Sequence, residues 1–197
     1  MAKKIVVLNE LTKAIQRYIP LSENDRTVIT ELFHPHKIGK NDYWLKEGEV
    51  CRELAFVEKG LLRFYINDDG REITHYFAKE GDFCCNYESL LNQSASRKNI
   101  MPIEQTSLWT ISQRNLELLY SRVKHGEKFG RLLMENELLD TINRFLEHYT
   151  HSPEQRYQDF LQQYSNLQQR IPQYYIASYV GVQPQSLSRI RKRLATC

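Results

Sequence analysis

The stretch Ile171-Pro-Gln-Tyr-Tyr-Ile-Ala-Ser-Tyr-Val-Gly-Val-Gln-Pro-Gln-Ser-Leu-Ser-Arg-Ile-Arg-Lys-Arg-Leu194 decides how the chain is read. Its apolar residues predict two short helices around a tight turn. Ile176, Ala177 and Val180 form one patch at helical spacing, and Leu187, Ile190 and Leu194 form another. Between them Gly181 suits a chain leaving a helix with positive φ, and Pro184 suits the first turn of the next one, where its missing N–H is no loss. Small Ala177 lets the two helices approach, which is the spacing of a helix-turn-helix. The second helix then presents Gln185, Ser186, Arg189 and Lys192 outward, in the position of an element that enters the major groove of DNA.

Charge points the same way. No acidic residue follows Asp159, whereas Arg170, Arg189, Arg191, Lys192 and Arg193 are all basic. The tail therefore carries five positive charges, which leaves about −2 for the rest of a chain whose net charge is +3. Binding to a polyanion depends on that local field, and the modest total conceals it.

Upstream, residues 9–33 read as two helices broken at Pro20, with Ser22 and Asp25 placed as a capping box before Val28, Ile29 and Leu32. From His36 to about Ile111, strand-like runs are punctuated by Gly48, Gly60, Gly70 and Gly81, the rhythm of an antiparallel sandwich or barrel. Leu54–Val57, Leu61–Ile66, Glu72–Phe77 and Ile103–Ile111 are the expected strands, and Asn67-Asp-Asp-Gly70 is the expected hairpin loop. Residues 86–98 read as loop with a short helix around Glu88–Asn92. A long helix is expected from Gly126 to Tyr149, roughly 36 Å at 1.5 Å per residue. Leu132, Leu139 and Leu146 repeat along it, flanked by Phe129, Asn136 and Asn143, and we expect this side to meet a partner helix. Leu133, Ile142, Phe145 and Tyr149 give a second apolar side for the chain's own core. Ser152-Pro153 restarts the chain as a helix with core residues Tyr157, Phe160, Leu161 and Tyr164.

Several function classes fall away. The apolar run near Met1 is too short for a signal peptide and no later stretch is long enough to span a bilayer, so a cytoplasmic protein is expected, with no membrane partner. Cys51, Cys84, Cys85 and Cys197 make no CxxC pair and are expected to be buried, inert thiols; no metal site is expected. His34-Pro-His36 and His148-x-x-His151 lack an evident carboxylate partner. A metal-dependent oxygenase would need two histidines and a carboxylate on the strands, but His75 is the sole histidine between residues 37 and 124. The chain is not expected to be an enzyme.

The order and spacing of Glu47-Gly48-Glu49, Val57-Glu-Lys-Gly60, Asp69-Gly70-Arg-Glu72 and Glu80-Gly-Asp-Phe83, followed by Ile176-Ala177, Gly181 and Gln185-Ser-Leu-Ser-Arg189, resemble the Crp/Fnr transcription regulators of bacteria over nearly the whole chain. The resemblance implies an α+β architecture. A jelly-roll-like antiparallel β-roll of the cyclic-nucleotide-binding type (residues 1–123) would have flanking helices. A long dimerisation helix (124–150) and an all-α helix-turn-helix domain (151–197) would follow. It further implies a homodimer on a near-palindromic operator, with half-sites about one helical turn (roughly 34 Å) apart, and RNA polymerase as a further partner. On this reading Gln185, Ser186 and Arg189 read bases, while Tyr175, Gln183, Arg191 and Lys192 contact phosphates.

Two departures matter. Cyclic-AMP-binding members carry a Gly-Glu pair after Gly-Asp-Phe, and Cys85 and Asn86 stand there instead; Tyr87 and Glu88 follow, and Arg97 and Lys98 lie near the phosphate position. An asparagine supplies no ionised acceptor, so cyclic AMP is not expected. A different small anionic effector bound among Cys85, Asn86, Tyr87, Glu88, Arg97 and Lys98, or none, is expected instead, and no cofactor is assigned. The second departure is that only three residues follow Leu194 in the sequence, so the usual β-wing after the recognition helix is not expected. The alternative to a regulator is a ligand-sensing or protein-interaction roll without specific DNA binding.

Overall fold

The computed structural model describes residues 9–195; the run near Met1 and Cys197 lie outside the described residues. Two helices open it, α1 (Asn9–Gln16) and α2 (Glu23–Leu32). The Ser22 Oγ accepts from the Asp25 N–H and the Asp25 carboxylate accepts from the Ser22 N–H, so the expected capping box starts α2.

Seven strands follow: β1 (His34–Ile38), β2 (Glu53–Lys59), β3 (Leu62–Asp68), β4 (Arg71–Ala78), β5 (Phe83–Cys84), β6 (Asn99–Pro102) and β7 (Thr106–Ser112). A short helix, α3 (Tyr87–Asn92), separates β5 from β6. The strands form two antiparallel sheets, ordered β1-β7-β2-β5 and β4-β3-β6. The β3–β4 hairpin turns at Asp69-Gly70, both at positive φ, as the loop chemistry requires. Gly60 has φ +108°, and a Cβ there would lie 2.4 Å from the Thr106 Oγ1, so both backbone and space demand glycine. The expected strand Ile103–Ile111 is shorter at its start: Ile103 is outside the sheets, while β6, read as loop and its continuation, is recruited by pairing Asn99–Pro102 with Tyr65–Leu62 of β3. Four residues without an alternating pattern carry no signal of their own, so the neighbouring strand decides.

Helices complete the chain: α4 (Gln113–Arg122), α5 (Gly126–Thr150), α6 (Pro153–Gln163), α7 (Gln173–Val180) and α8 (Pro184–Leu194). Ser152 and Gln155 cap α6 reciprocally, with Pro153 in its first turn. The first core cluster joins α1, α2, both sheets and the start of α5. A second cluster takes Leu61, Phe77 and Ile103 from the roll and packs them on Tyr157, Phe160, Tyr164, Ile171, Ile176, Val180, Leu187 and Ile190. The C-terminal helices therefore have no apolar core separate from the roll.

Polar contacts reinforce this docking. The Thr74 N–H of β4 donates to the Ser178 Oγ at 2.9 Å, and that hydroxyl donates to the Glu72 carbonyl at 2.8 Å. Arg170 donates to the Glu80 carboxylate at 2.7 Å and also pairs with Glu104. Arg63, fully buried, pairs with Glu72 and donates to the Thr74 Oγ1; its guanidinium lies 3.7 Å from the Tyr175 ring centroid and 4.3 Å from that of Tyr65.

One sequence expectation for α5 is corrected. Phe129, expected on the partner-facing side, is fully buried in the roll, its ring 5.6 Å from both Phe83 and Tyr18. Leu133 shares that buried side and Leu132 is half-buried. The exposed apolar stripe is Met134, Leu138, Leu139, Ile142, Phe145, Leu146 and Tyr149. Thus Ile142, Phe145 and Tyr149, expected to face the chain's own core, face outward together with Leu139 and Leu146. A strict seven-residue repeat drifts by about 20° per heptad on a straight helix. The heptad therefore locates the helix correctly but not which of its sides the roll covers.

Candidate nucleic-acid interface and effector cavity

Helices α7 and α8 are joined by Gly181–Gln183. Gly181 ends α7 at φ 77°, ψ 34°, and the Val182 N–H donates to the Ala177 carbonyl at 2.9 Å, a Schellman-type termination that turns the chain. Leu187 and Ile190 bury one side of α8 against Ile176, Ala177 and Val180. The opposite side leaves Gln183, Gln185, Ser186, Arg189, Arg191 and Lys192 exposed, all of the expected groove-facing residues except Tyr175. Arg193 pairs with Glu154 at 2.9 Å, and the Ser188 hydroxyl donates to the Pro184 carbonyl. Tyr175 lies apart from this surface, on α7, with its ring on Arg63 of the roll. The signal that places it there is Arg63, more than a hundred residues away.

Arg156, not singled out in the sequence, organises the turn. Its Nε donates to the Val180 carbonyl at 2.8 Å, and its Nη1 to the carbonyls of His148 (3.1 Å) and His151 (2.9 Å). One guanidinium thus holds the ends of α5 and α7 together through carbonyls that the helices leave without partners. His151 does have a carboxylate partner, contrary to expectation: Asp159, in the second turn of α6, lies 2.6 Å from its Nδ1.

A cavity of about 760 Å³ opens where the roll, α5 and the C-terminal helices meet, within the roughly 300–1,000 Å³ typical of small-molecule sites. Phe64, His75, Cys84, Cys85, Tyr87 and Lys98 line its roll side, Met134, Glu137 and Leu138 its α5 side, and Arg156 and Ser178 its far end. Of the expected effector residues, Cys85, Tyr87, Glu88 and Lys98 line it, while Asn86 and Arg97 do not. Asn86 is buried beneath the wall and donates from Nδ2 to the Ser96 Oγ at 2.8 Å. Arg97 is 85% exposed and lies 3.5 Å from the carboxylate of the lining residue Glu88. The Tyr87 hydroxyl is buried and makes no hydrogen bond. Desolvation first, then the Lys98 and Arg144 cations, push His75 down to about 3, so the ring is neutral. Burial raises the Glu137 carboxyl, as do the Asp140 and Asp82 carboxylates, although Arg144 opposes them.

Cyclic nucleotide recognition needs a carboxylate for the ribose and a cation for the phosphate. At the two positions expected to supply them, Asn86 is neutral and bonded to Ser96 and Arg97 is 85% exposed, while Glu88 and Lys98 bring a carboxylate and a cation to the cavity lining. Among the described residues there is no group of three or more His, Cys, Asp or Glu side chains suited to a metal ion.

Residues 35–123 match the family described as the cyclic nucleotide-binding domain. A protein of Arabidopsis thaliana named as cyclic nucleotide-gated ion channel 9 is 32% identical over 84 residues, which is 40% of this chain but only 12% of that protein's length. The roll is thus similar to cyclic nucleotide-binding domains. Over a larger span, a structure from Eubacterium rectale described as a transcriptional regulator of the Crp/Fnr family superposes with TM-score 0.69 at 20% identity, covering 91% of this chain and 88% of that one. FixK2 of Bradyrhizobium japonicum gives 0.67 at 18% identity, covering 84% and 85%. The c-di-GMP-responsive regulator CLP of Xanthomonas campestris gives 0.67 at 17%, covering 89% and 92%. The chain has the fold of a Crp/Fnr-type transcription regulator, α+β as expected. Among the described residues no helix is long and apolar enough to cross a membrane.

Proposed function

We propose that the protein is a homodimeric, sequence-specific DNA-binding regulator of the Crp/Fnr type, with a roll to residue 123, a dimer helix over 124–150 and a DNA-reading unit from 151. The observation that carries this reading is the exposed basic side of α8, set on a helix-turn-helix whose opposite side is buried. In this reading Arg189 binds guanine O6 and N7, Gln185 pairs with adenine, and Ser186 contacts base or phosphate. Gln183, Arg191 and Lys192 hold phosphates. The exposed stripe of α5 supports a second copy as partner: seven large apolar side chains on one side of a 25-residue helix are what a helix–helix seam buries.

The cavity is assigned to an effector other than a cyclic nucleotide, contacted by Cys85, Tyr87, Glu88 and Lys98. Such a ligand shifts DNA affinity only by the difference in its affinity for the two arrangements of the dimer. A cytoplasmic location and contact with RNA polymerase follow from the regulator reading and stand or fall with it.

Selection of genomic fragments by the purified protein near ~0.15 M salt, a regime in which non-specific phosphate binding is weak, tests the proposal. Enrichment of a near-palindrome with half-sites one turn apart is expected. Recovery without sequence preference, unchanged after incubation with cell metabolites, would overturn the reading in favour of a sensing roll without specific DNA binding.

A further inference from the structure

The strand β4 is irregular where it meets the cavity. Phe64 of β3 pairs with Tyr76, but the next residue, Tyr65, pairs with Thr74, so His75 is an extra residue, a β-bulge. Regular alternation would send His75 to the same side as Phe77. Phe77 packs in the second core cluster with the C-terminal helices, whereas His75 and Tyr76 both line the cavity. The bulge re-aims one side chain and so gives the cavity two adjacent rings. Phe64 meets both edge-on, its centroid 6.1 Å from that of His75 and 5.3 Å from that of Tyr76. Met134 and Leu138 add apolar surface from α5. Walls of this kind suit a flat apolar body.

The charges on the lining are unbalanced. Glu88 pairs with Arg97 and Asp159 with His151, and burial raises the Glu137 carboxyl toward its neutral form. That leaves Glu147 against Arg71, Lys98 and Arg144, which make no ion pair among the described residues. Arg144 lies over the Tyr76 ring, 4.7 Å from its centroid. Lys98 is half-buried and its backbone is fixed. The Ser96 Oγ accepts from the Lys98 N–H at 3.0 Å and donates to its carbonyl at 2.7 Å, and the same hydroxyl accepts from Asn86. A cation held partly out of water without a carboxylate gains strongly from an incoming anion.

We propose that the cavity binds an amphipathic organic acid, its flat apolar body against Phe64, His75, Tyr76, Met134 and Leu138 and its carboxylate on the Lys98 ammonium. This rests on the assignment of the cavity to an effector and names the chemical class of that effector. An apolar body removes the rings and the α5 side chains from water, which a ligand made mostly of hydroxyls and phosphate does not. The neutral His75 ring brings one donor and one acceptor for a polar edge of the body.

Fluorescence titration of the purified full chain, without DNA, with 1-pyrenebutyrate and its neutral counterpart 1-pyrenebutanol tests the proposal. The carboxylate should bind about tenfold more tightly than the alcohol, the effect of one charge-assisted hydrogen bond. Lys98→Met should bring the carboxylate to the level of the alcohol and leave the alcohol unchanged. Arg97→Met, which removes an equal charge from an exposed neighbour, should leave the preference intact. Cyclic AMP should displace the probe only at concentrations well above the probe's own dissociation constant. Equal binding of the two probes by the wild-type chain, a preference that survives Lys98→Met, or tighter binding of cyclic AMP would each overturn the anionic, apolar class while leaving an effector cavity in place. Failure of both probes to bind would remove the effector assignment itself, and neither result bears on the selection of DNA fragments.

Discussion

Phe77→Ala should separate the C-terminal helices from the roll energetically without dismantling the roll. Phe77 is fully buried on β4, and its ring centroid lies 5.7 Å from those of Tyr164 and Tyr179 and 6.3 Å from that of Phe160. It belongs to the second core cluster and not to the first. Truncating a buried phenylalanine costs about 3–5 kcal/mol, to which each lost ring pair contributes about 0.5–1.5 kcal/mol. Set against a total stability of about 5–15 kcal/mol, this loss falls on α6, α7 and α8, whose other aromatic residues pack around the same ring. Hydrogen exchange read by mass spectrometry is the assay. Protection across Pro153–Leu194 should fall by about two to three decades, each decade being about 1.4 kcal/mol. Protection of β2 and β7 should change by less than about 0.5 kcal/mol, the usual limit for sites without shared partners. Equal loss in β2 and β7 would refute the reasoning, because Phe77 would then belong to the roll's own core. Unchanged protection in α6–α8 would refute it too, because the docking would then rest on the Arg170 and Arg63 contacts alone.

Four further outcomes are expected. Arg189→Ala should cost about 1–3 kcal/mol of operator affinity and relax one base position, read by competition binding with single-base variants; an equal loss on every sequence would make Arg189 a phosphate contact. Phe145→Asp, on a side chain 60% exposed, should yield a monomer by sedimentation without lowering the melting temperature of the roll; an unchanged dimer would move the interface off α5. The Glu80 carboxyl is held below its ordinary value of 4.5, the desolvation that raises it being outweighed by Arg170 and the Gly60 N–H. Its folded value is depressed, so the stability it contributes is present above about pH 4.5 and is lost as pH falls through the folded value. Urea midpoints measured across that range should therefore fall less steeply in Glu80→Gln than in the parent. Finally, the His75 ring, brought to about 3 by burial and two cations, should show no NMR titration between about pH 5 and 8, where an unperturbed histidine changes charge; a midpoint near 6.5 would mean that the cavity is open water.

The parts of the fold legible in the sequence are those governed by residues within a few positions of one another. Ser22 and Asp25, Ser152 and Gln155, Asp69-Gly70, and Gly181 followed by Pro184 each set a cap or turn through local hydrogen bonds or φ, and each is found where the chain places it. Leu187 and Ile190 likewise define the buried side of α8 by period alone, which leaves Arg189 outside.

What lay beyond the sequence is the identity of partners. The side of α5 that the roll covers was decided when Phe129 met Phe83 and Tyr18. Asn86 and Arg97, adjacent in sequence to residues lining the cavity, left it because Ser96 and solvent took them. β6 exists because β3 offers it an edge. Arg170 finds Glu80 and Glu104, and Tyr175 finds Arg63, only once two sheets are stacked. Periodicity and capping act over one or two turns of chain, so composition and spacing alone determined the elements and the basic recognition surface. Packing acts through space with no memory of sequence separation, and so the cavity and the docking of the C-terminal helices on the roll were decided by tertiary structure.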